Sequence, residues 1–451
     1  MDSNRKDLKG TLPSIENSAE SVQASLGGAT ATVKGGVAFG ALRHRDFRAY
    51  FAGTMLSMMA DNIEHVISYW VIFQLFRSSA LAGFAVISHW IPFLLLSIYA
   101  GTLADRFDCR RLIQVSQLMF MGVTLAWGTL FLTGGLQVWH TVVLLVVHGL
   151  AGTLWEPSSQ LILHDMVGRE HLQSAIRLNA TGRQLGILFG PAVGGGLMLI
   201  LSPAAGLMVN ALIYLPLIIW LQTVSYTGHS RAALDSVRGR RVGLKDALKV
   251  LSGVSGNRVI LSMVLLAGIS SLLVGNAFVA NMPEFALDLG TDEAGFGYSS
   301  LLVVSGAGAV VGGLILEGRG LLEARARTAI VLAILWSLVL GGFAMVSYYP
   351  LALVLLFLAG VFNLSFYAMA QTLVQLLAPP HMRGRLMGLF NISGLGLRTF
   401  SGFTVGILGS FIGIHWSLGL STGLLLVVTL VLLAFVIAND SKDSLAAAES
   451  K

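Results

Sequence analysis

The chain has 451 residues, of which 55% are hydrophobic and only 12% are charged, and its mean hydropathy is +0.76. This composition excludes an ordinary water-soluble domain, because most of the length must face something other than water. We interpret the net charge of +6 as the result of Lys and Arg in loops on one side of the membrane, where they bind anionic lipid. No nucleic acid partner is needed to explain it.

Residues 1–42 are rich in Ser, Gly and Ala and contain no apolar core followed by a cleavage site. We therefore predict a disordered cytoplasmic tail rather than a signal peptide. Beyond it, twelve apolar stretches of roughly 20 to 28 residues each predict membrane-crossing helices. Their expected bounds are 47–74, 80–102, 111–134, 139–165, 171–200, 204–224, 258–288, 294–316, 326–347, 350–378, 382–411 and 414–438. The predicted fold class is an all-α polytopic membrane protein.

The basic stretch 225–257 divides the spans into an N-terminal bundle, 43–224, and a C-terminal bundle, 258–438, which is followed by a cytoplasmic tail at 439–451. We interpret this stretch as a solvated, lipid-facing linker, and a regulatory or partner-binding segment is the alternative. Lys and Arg are concentrated in the loops on one side of the predicted spans. By the positive-inside rule that side, with both termini, is cytoplasmic.

A short motif occurs once in each predicted bundle. GTLADR at 101–106 follows the second span, and GLILEGR at 313–319 follows the eighth. The first copy joins a glycine that permits close packing to an acid and arginines in the headgroup zone, whereas the second copy has its arginines displaced. We predict a cytoplasmic gate built from Gly101, Asp105, Arg106, Arg110, Glu317 and Arg319. The alternative is that these charges only anchor a tight turn.

The longer string GTLADRFDCRR at 101–111 resembles the signature loop of the major facilitator superfamily, and the resemblance extends over residues 43–438. It implies two pseudo-symmetric six-helix bundles and a latch between them on the cytoplasmic side. It also implies a monomer without a cofactor in the bacterial cytoplasmic (inner) membrane. The segments 155–179 and 370–389 resemble the branch that contains siderophore exporters of the enterobactin-exporter type.

The fifth span is predicted to carry a stripe of small residues. GRQLGILFGPAVGG at 182–195 places a glycine at every fourth position of one helix face, beside a proline that loosens the helix. The stripe resembles the motif that marks antiporters and exporters within the superfamily, and close packing alone is the alternative. Its residues are Gly186, Gly190, Pro191, Gly194 and Gly195.

Charged side chains in the middle of a membrane are costly, so those in the spans are candidates for function. On the first span Asp61, Glu64 and His65 share one helix face, and we predict that they couple transport to protons. Glu156 and Arg183, on the fourth and fifth spans, are predicted to pair with each other. This pair serves either in proton coupling or as a static link between the two helices.

The C-terminal half offers mainly neutral hydrogen-bonding groups and one arginine at this depth. We therefore predict that proton handling lies in the N-terminal half and that both halves contact the substrate. The predicted substrate-binding residues are His89, Trp155, Asn276, Asn363, Phe366, Gln371, Asn391 and Arg398. Arg183 and Arg398 together suit an anionic or catecholate-like ligand, and His148 is interpreted as an interhelical hydrogen-bonding residue.

The sequence contains no phosphate-binding loop and no His or Cys spacing typical of a metal site, so neither an enzyme nor ATP-driven transport is predicted. Its single cysteine, Cys109, excludes an internal disulfide framework. We predict a proton antiporter that exports a small siderophore-like or drug-like molecule. Two alternatives stay open: a proton-coupled uptake symporter for an organic anion, and a non-transporting receptor or lipid-handling protein on the same fold.

Overall fold

The computed structural model describes residues 39–228, 257–291, 295–317, 325–378 and 383–449, and every regular element in these ranges is helical. The helices, numbered by span, are α1 (Arg45–Phe76), α2 (Ser79–Arg106), α3 (Cys109–Leu132), α4 (Val138–Gly168), α5 (Glu170–Leu201), α6 (Pro203–Thr223), α7 (Arg258–Leu273, Ala277–Ala280 and Met282–Asp288), α8 (Phe296–Glu317), α9 (Ala326–Met345), α10 (Tyr349–Leu377), α11 (Arg383–Asn391 continued by segments to Ile412) and α12 (Ile414–Glu449). The all-α prediction is confirmed. Most of the predicted N-terminal tail and most of the predicted linker lie outside the described residues, and so does Arg319.

Eleven helices within the described ranges are long and apolar enough to cross a membrane, and α1 is not among them. α1 is 32 residues long, but it carries Asp61, Asn62, Glu64 and His65 halfway along its length. These polar groups lower its hydropathy, and the helix is stabilised by burial against neighbouring helices.

Five spans differ from their predicted form. α4 and α5 are one continuous helix with a single break at Gly168, whose φ of 66° is the left-handed conformation that glycine adopts without strain. The break lies within the predicted connection at 165–171, which is shorter than predicted because both helices continue up to it. α7 is broken into three pieces, and α11 contains two π-helical segments, Ile392–Gly396 and Gly402–Ile407. α12 continues as a helix through most of the predicted C-terminal tail at 439–451.

We call the end of the molecule where α1 begins the basic face, and the end where α1 meets α2 the far face. One hydrophobic core contains residues of both bundles and joins them toward the far face. A second core, which includes Tyr50, Ile113, Trp155 and Leu217, belongs to the first bundle alone and lies toward the basic face. Within the described residues, the core shared by the two bundles therefore lies toward the far face.

Specific contacts close the far face between the bundles. The Tyr298 hydroxyl donates to the Val66 carbonyl at 2.9 Å, and the Ser79 hydroxyl donates to Glu284 Oε2 at 2.6 Å. α2 and α11 touch backbone to backbone, since a Cβ on Gly83 would stand 2.5 Å from the Gly402 carbonyl oxygen. These contacts join α1 and α2 of the first bundle to α7, α8 and α11 of the second.

Candidate functional site

The three predicted coupling residues of α1 point into the first bundle. Asp61 is 7% exposed and Glu64 is 1% exposed, so both carboxylates are buried. His65 Nδ1 lies 2.7 Å from the Asp61 carbonyl oxygen and 3.6 Å from its carboxylate, one helical turn away. The predicted common face of α1 is thus present.

His148 on α4 joins this group, although the sequence did not mark it as a site residue. Its Nε2 lies 2.9 Å from Asp61 Oδ1, and its Nδ1 lies 2.5 Å from Glu64 Oε2. His65 Nε2 lies 3.3 Å from His89 Nδ1 on α2, and the His65 and His148 rings are 4.7 Å apart. We call Asp61, Glu64, His65, His89 and His148 the histidine cluster. A lone polar residue in the apolar run of α4 was the signal that could have found His148.

A close approach of two backbones assembles the histidine cluster. A Cβ on Gly149 would stand 2.2 Å from the Ser88 carbonyl oxygen, so only glycine lets α4 and α2 come this near. The neighbours of these two residues in the chain are His148 and His89, which are thereby brought side by side. Phe120 packs its ring 4.8 Å from that of His148 and closes the cluster on the α3 side.

The predicted pair of Glu156 and Arg183 is present. Arg183 Nη1 contacts both carboxylate oxygens of Glu156, and the two side chains are 24% and 32% exposed for Glu156 and Arg183. Gln160 donates to Glu156 Oε1 at 3.0 Å from the next turn of α4. This ion pair is more accessible than the histidine cluster, where the Asp61 and Glu64 side chains are 11% and 2% exposed.

The glycine stripe of α5 lies against α1 beside the histidine cluster. A Cβ would stand 2.8 Å from the Met55 carbonyl oxygen at Gly186, 2.4 Å from Asn62 Cβ at Gly190 and 3.3 Å from Ile63 Cα at Gly194. Gly195 instead faces Ser299 of α8, across the contact between the bundles, and Pro191 lies within the helix. The stripe therefore fixes how closely α1 approaches α5.

Arg398 brings the second bundle to the histidine cluster. It lies in a short α-helical piece of α11, Arg398–Ser401, between the two π-helical segments. Its guanidinium carbon lies 5.5 Å from the centre of the Trp90 ring, which itself is 4.8 Å from the His89 ring. Arg398 also donates to the Gly394 carbonyl at 3.2 Å. Such π-helical segments are frequent at functional sites.

The other predicted substrate-binding residues are dispersed. Asn363 and Gln371 are half-buried on α10, whereas Asn276 and Asn391 are exposed next to the irregular parts of α7 and α11. Trp155 and Phe366 are buried within their bundles, where they pack against Phe120 and Trp336. Of the predicted set, His89 and Arg398 lie together at the contact between the bundles.

The predicted gate residues of the first bundle form no latch with another described residue. Asp105 and Arg106 are exposed, and nothing lies within 4 Å of the place where a Cβ on Gly101 would stand. Arg110 pairs instead with Asp108, its neighbour, at 2.7 Å. Glu317 ends α8, and Arg319 lies outside the described residues. Within the described ranges, the contacts between the bundles named above lie at the far face.

Two carboxyl groups outside the membrane-spanning segments have shifted pKa values. Burial raises the pKa of Glu284 at the far face, and the nearby Asp288 raises it further. The hydrogen bonds and charge of Arg110 lower the pKa of Asp108, outweighing its partial burial. Glu284 therefore favours its neutral form and Asp108 its ionised form, relative to the same groups in water.

Comparisons with known proteins agree with this architecture. The family described as Transmembrane secretion effector matches residues 36–450. YfiS of Bacillus subtilis strain 168, described as an uncharacterized MFS-type transporter, is 24% identical over 376 residues, which cover 80% of this chain and 86% of the relative. The staphyloferrin A transporter of Staphylococcus aureus NCTC 8325 is 19% identical over 166 residues, 37% of this chain and 42% of the relative.

Solved structures show the same fold. A bacterial homologue of the human lysosomal transporter Spinster, in an inward-facing and unoccupied conformation, matches with a TM-score of 0.66 at 13% identity, covering 86% of this chain and 95% of that one. The nucleoside transporter NupG matches with a TM-score of 0.66 at 15% identity, covering 86% of this chain and 98% of that one. The chain therefore belongs to the transmembrane secretion effector family of the major facilitator superfamily and is a multi-pass membrane transporter of that type.

Proposed function

We propose that this protein exports a small organic molecule, siderophore-like or drug-like, from the bacterial cytoplasm in exchange for protons by alternating access. The observation that carries the proposal is the Glu156–Arg183 ion pair, which is part-exposed inside a molecule that is closed at its far face. An exposed ion pair facing lipid would be costly, so it faces water that enters from the basic face.

The positive-inside rule assigns the basic face to the cytoplasm, because Arg106, Arg110 and Arg111 lie there. In this proposal the basic face is open to the cytoplasm, and an exported molecule enters there. Both termini and the linker lie on this side in the proposal, and the membrane is the inner one of a bacterium.

Exchange requires that the proton and the cargo exclude each other. Glu156 offers one carboxylate to both, since a proton and a hydrogen-bond donor of the cargo compete for the same oxygens. Arg398, stacked over Trp90, supplies a cation for an acidic group of the cargo. A molecule with hydroxyl or amide donors for Glu156 and an acidic group for Arg398, such as a siderophore, suits both residues. The staphyloferrin A transporter among the relatives supports this class of cargo.

An uptake symporter for an organic anion is the second candidate, and the same ion pair favours it. If protonation of Glu156 releases Arg183, then Arg183 and Arg398 become two cations for an anionic cargo. Proton and cargo would then bind together and move in the same direction. Asp61, Glu64 and His65 stay predicted ion-coupling residues in either case.

Proteoliposomes with an internal pH-sensitive dye test the proposal, with an imposed pH gradient and a panel of siderophores, drugs and organic acids. We expect cargo to leave one side as protons leave the other, and Glu156→Gln to abolish this proton movement. Glu170→Gln, at an exposed glutamate of α5, is the matched control and keeps it. Proton and cargo moving together would replace exchange by symport, and binding without flux would favour a receptor.

A further inference from the structure

The histidine cluster contains three imidazoles from three helices at one point inside the first bundle. His65, His89 and His148 each offer a ligand atom, and these atoms lie within 4.8 Å of one another. We propose that His65, His89 and His148, with Asp61, form a binding site for one divalent transition-metal ion. This proposal departs from the sequence analysis, which predicted no metal site from the spacing of His and Cys.

The distances between donor atoms are those of ligands around one ion. Metal–nitrogen bonds of about 2.0–2.1 Å separate two ligands by about 3 Å in octahedral and about 3.4 Å in tetrahedral geometry. His65 Nε2 and His89 Nδ1 are 3.3 Å apart, and His148 Nε2 and Asp61 Oδ1 are 2.9 Å apart. The widest gap in the cluster closes with a side-chain movement of about 1 Å.

The backbone of α1 orients one of these ligands. His65 Nδ1 lies 2.7 Å from the Asp61 carbonyl oxygen, so this nitrogen carries the proton and donates it to the carbonyl. The lone pair is then on Nε2, which faces His89. A hydrogen bond from the second ring nitrogen to a carbonyl is the usual support of a metal-binding histidine.

His148 is buried with its hydrogen-bonding capacity unused. Both ring nitrogens lie within ion-pair distance of a carboxylate, yet neither forms a hydrogen bond of acceptable geometry with a described group, and Glu64 Oε2 is in the same position. His148 is 2% exposed. Unsatisfied buried polar atoms cost about 1–3 kcal/mol each. An ion bound to Nε2 satisfies that nitrogen, and Nδ1 then carries its proton toward the Glu64 carboxylate.

Charge gives the class of ion. Asp61 and Glu64 place two negative charges in a buried site, and a divalent cation bound to imidazoles in their neutral form would balance them. Imidazole nitrogen favours Zn²⁺, Co²⁺, Ni²⁺ or Fe²⁺ over Ca²⁺ and Mg²⁺, which prefer oxygen ligands. The competing occupant is a proton on His148. The proposed ion site is next to the proposed cargo site, because the His89 ring contacts the Trp90 ring and Trp90 contacts Arg398.

Metal binding to the purified full-length protein in detergent tests the proposal, using Zn²⁺ calorimetry, Co²⁺ absorbance and a protein without a polyhistidine tag. We expect one ion per chain, and His65→Ala and His89→Ala each to weaken binding at least about 10-fold. His140→Ala, on the same helix as His148 but outside the cluster, leaves affinity unchanged. Both cluster histidines chosen are only partly buried, so the variants should melt like the wild type.

Absence of Zn²⁺ and Co²⁺ binding, or unchanged affinity in both cluster variants, overturns the proposal. X-ray absorption of the zinc-loaded protein adds an independent readout, because imidazole ligands scatter in a recognisable pattern. A zinc shell without imidazole also overturns it. Binding is measured without any flux, so the result does not depend on whether the protein exports its cargo against protons.

Discussion

The two bundles share a fold but use different means at the point where they meet. In the described part of the first bundle, five ionisable side chains of the histidine cluster lie on helices of regular geometry. The second bundle brings Arg398 alone to this point, on a helix interrupted by two π-helical segments. Regular helices hold fixed spacing between ion ligands, whereas irregular helices can change length and direction. The first bundle is thus suited to binding ions and the second to adapting around a cargo.

The two irregular helices of the second bundle, α7 and α11, form hydrogen bonds with each other's backbone carbonyls. The Thr404 hydroxyl in α11 donates to the Leu273 carbonyl at 2.8 Å, where α7 is broken. The Ser271 hydroxyl in α7 donates to the Gly394 carbonyl at 2.6 Å, within the first π-helical segment. Backbone groups freed at membrane depth are tolerated when neighbouring side chains take them up. α7 and α11 are therefore joined by hydrogen bonds at the places where their helical geometry is irregular.

The largest expected effect tests whether the second bundle depends on one charge. Arg398→Gln removes the cation and its contact with Trp90, so affinity for the proposed cargo with an acidic group should fall about 30-fold, or about 2 kcal/mol. Arg398→Lys keeps the charge but not the planar contact, and should recover part of the loss. Affinity is measured from the concentration dependence of flux in proteoliposomes. Equal behaviour of both variants and the wild type would break the comparison between bundles.

A smaller effect tests whether the spacing of the first bundle is fixed by α5. Gly190→Ala places a methyl group 2.4 Å from Asn62 Cβ in the present geometry, so α1 must move, at a cost of about 1–3 kcal/mol. We expect a lower melting temperature and slower flux. Gly196→Ala on the same helix meets open space, and should be neutral or slightly stabilising. If both substitutions behave alike, the close packing of α1 on α5 has no role.

The smallest effect concerns the contact that joins the bundles at the far face. Burial raises the pKa of Glu284, which accepts from Ser79 and faces Asp288 and His415. The closed state therefore binds a proton more tightly than an open one, in which the carboxyl is hydrated. The stability that this proton gives the closed state is fully present below the ordinary pKa of a glutamate, and it is lost as pH rises through the raised pKa.

Spin labels at Gln74 and Leu287, on the two sides of this contact, measure the closed fraction in nanodiscs between about pH 4 and pH 9. The open fraction should increase with pH in the wild type. Glu284→Gln imitates the protonated carboxyl and should stay closed throughout. A wild type with no pH response, or a variant that keeps the response, would assign it to another group.

The sequence predicted the spans and the charged pair because these depend on local properties. Long apolar runs define helices, and Glu156 and Arg183 on adjacent spans had few other partners. The histidine cluster was not predicted, since its members come from α1, α2 and α4 and meet only because Gly149 lets two backbones touch. The breaks in α7 and α11 were missed because the single Gly, Asn, Ser and Arg residues there do not end the long apolar runs from which the spans were predicted. Which face is open depends on contacts between bundles, which no span reveals by itself.

α1 has a consequence for how the protein is made. An aspartate at the centre of an inserted helix costs about 3 kcal/mol, and α1 carries Asp61 with Glu64 one turn beyond it. Their partner His148 is synthesised only with α4. α1 is thus synthesised before the helix that stabilises it in lipid, so we expect insertion of this bundle to be concerted rather than helix by helix.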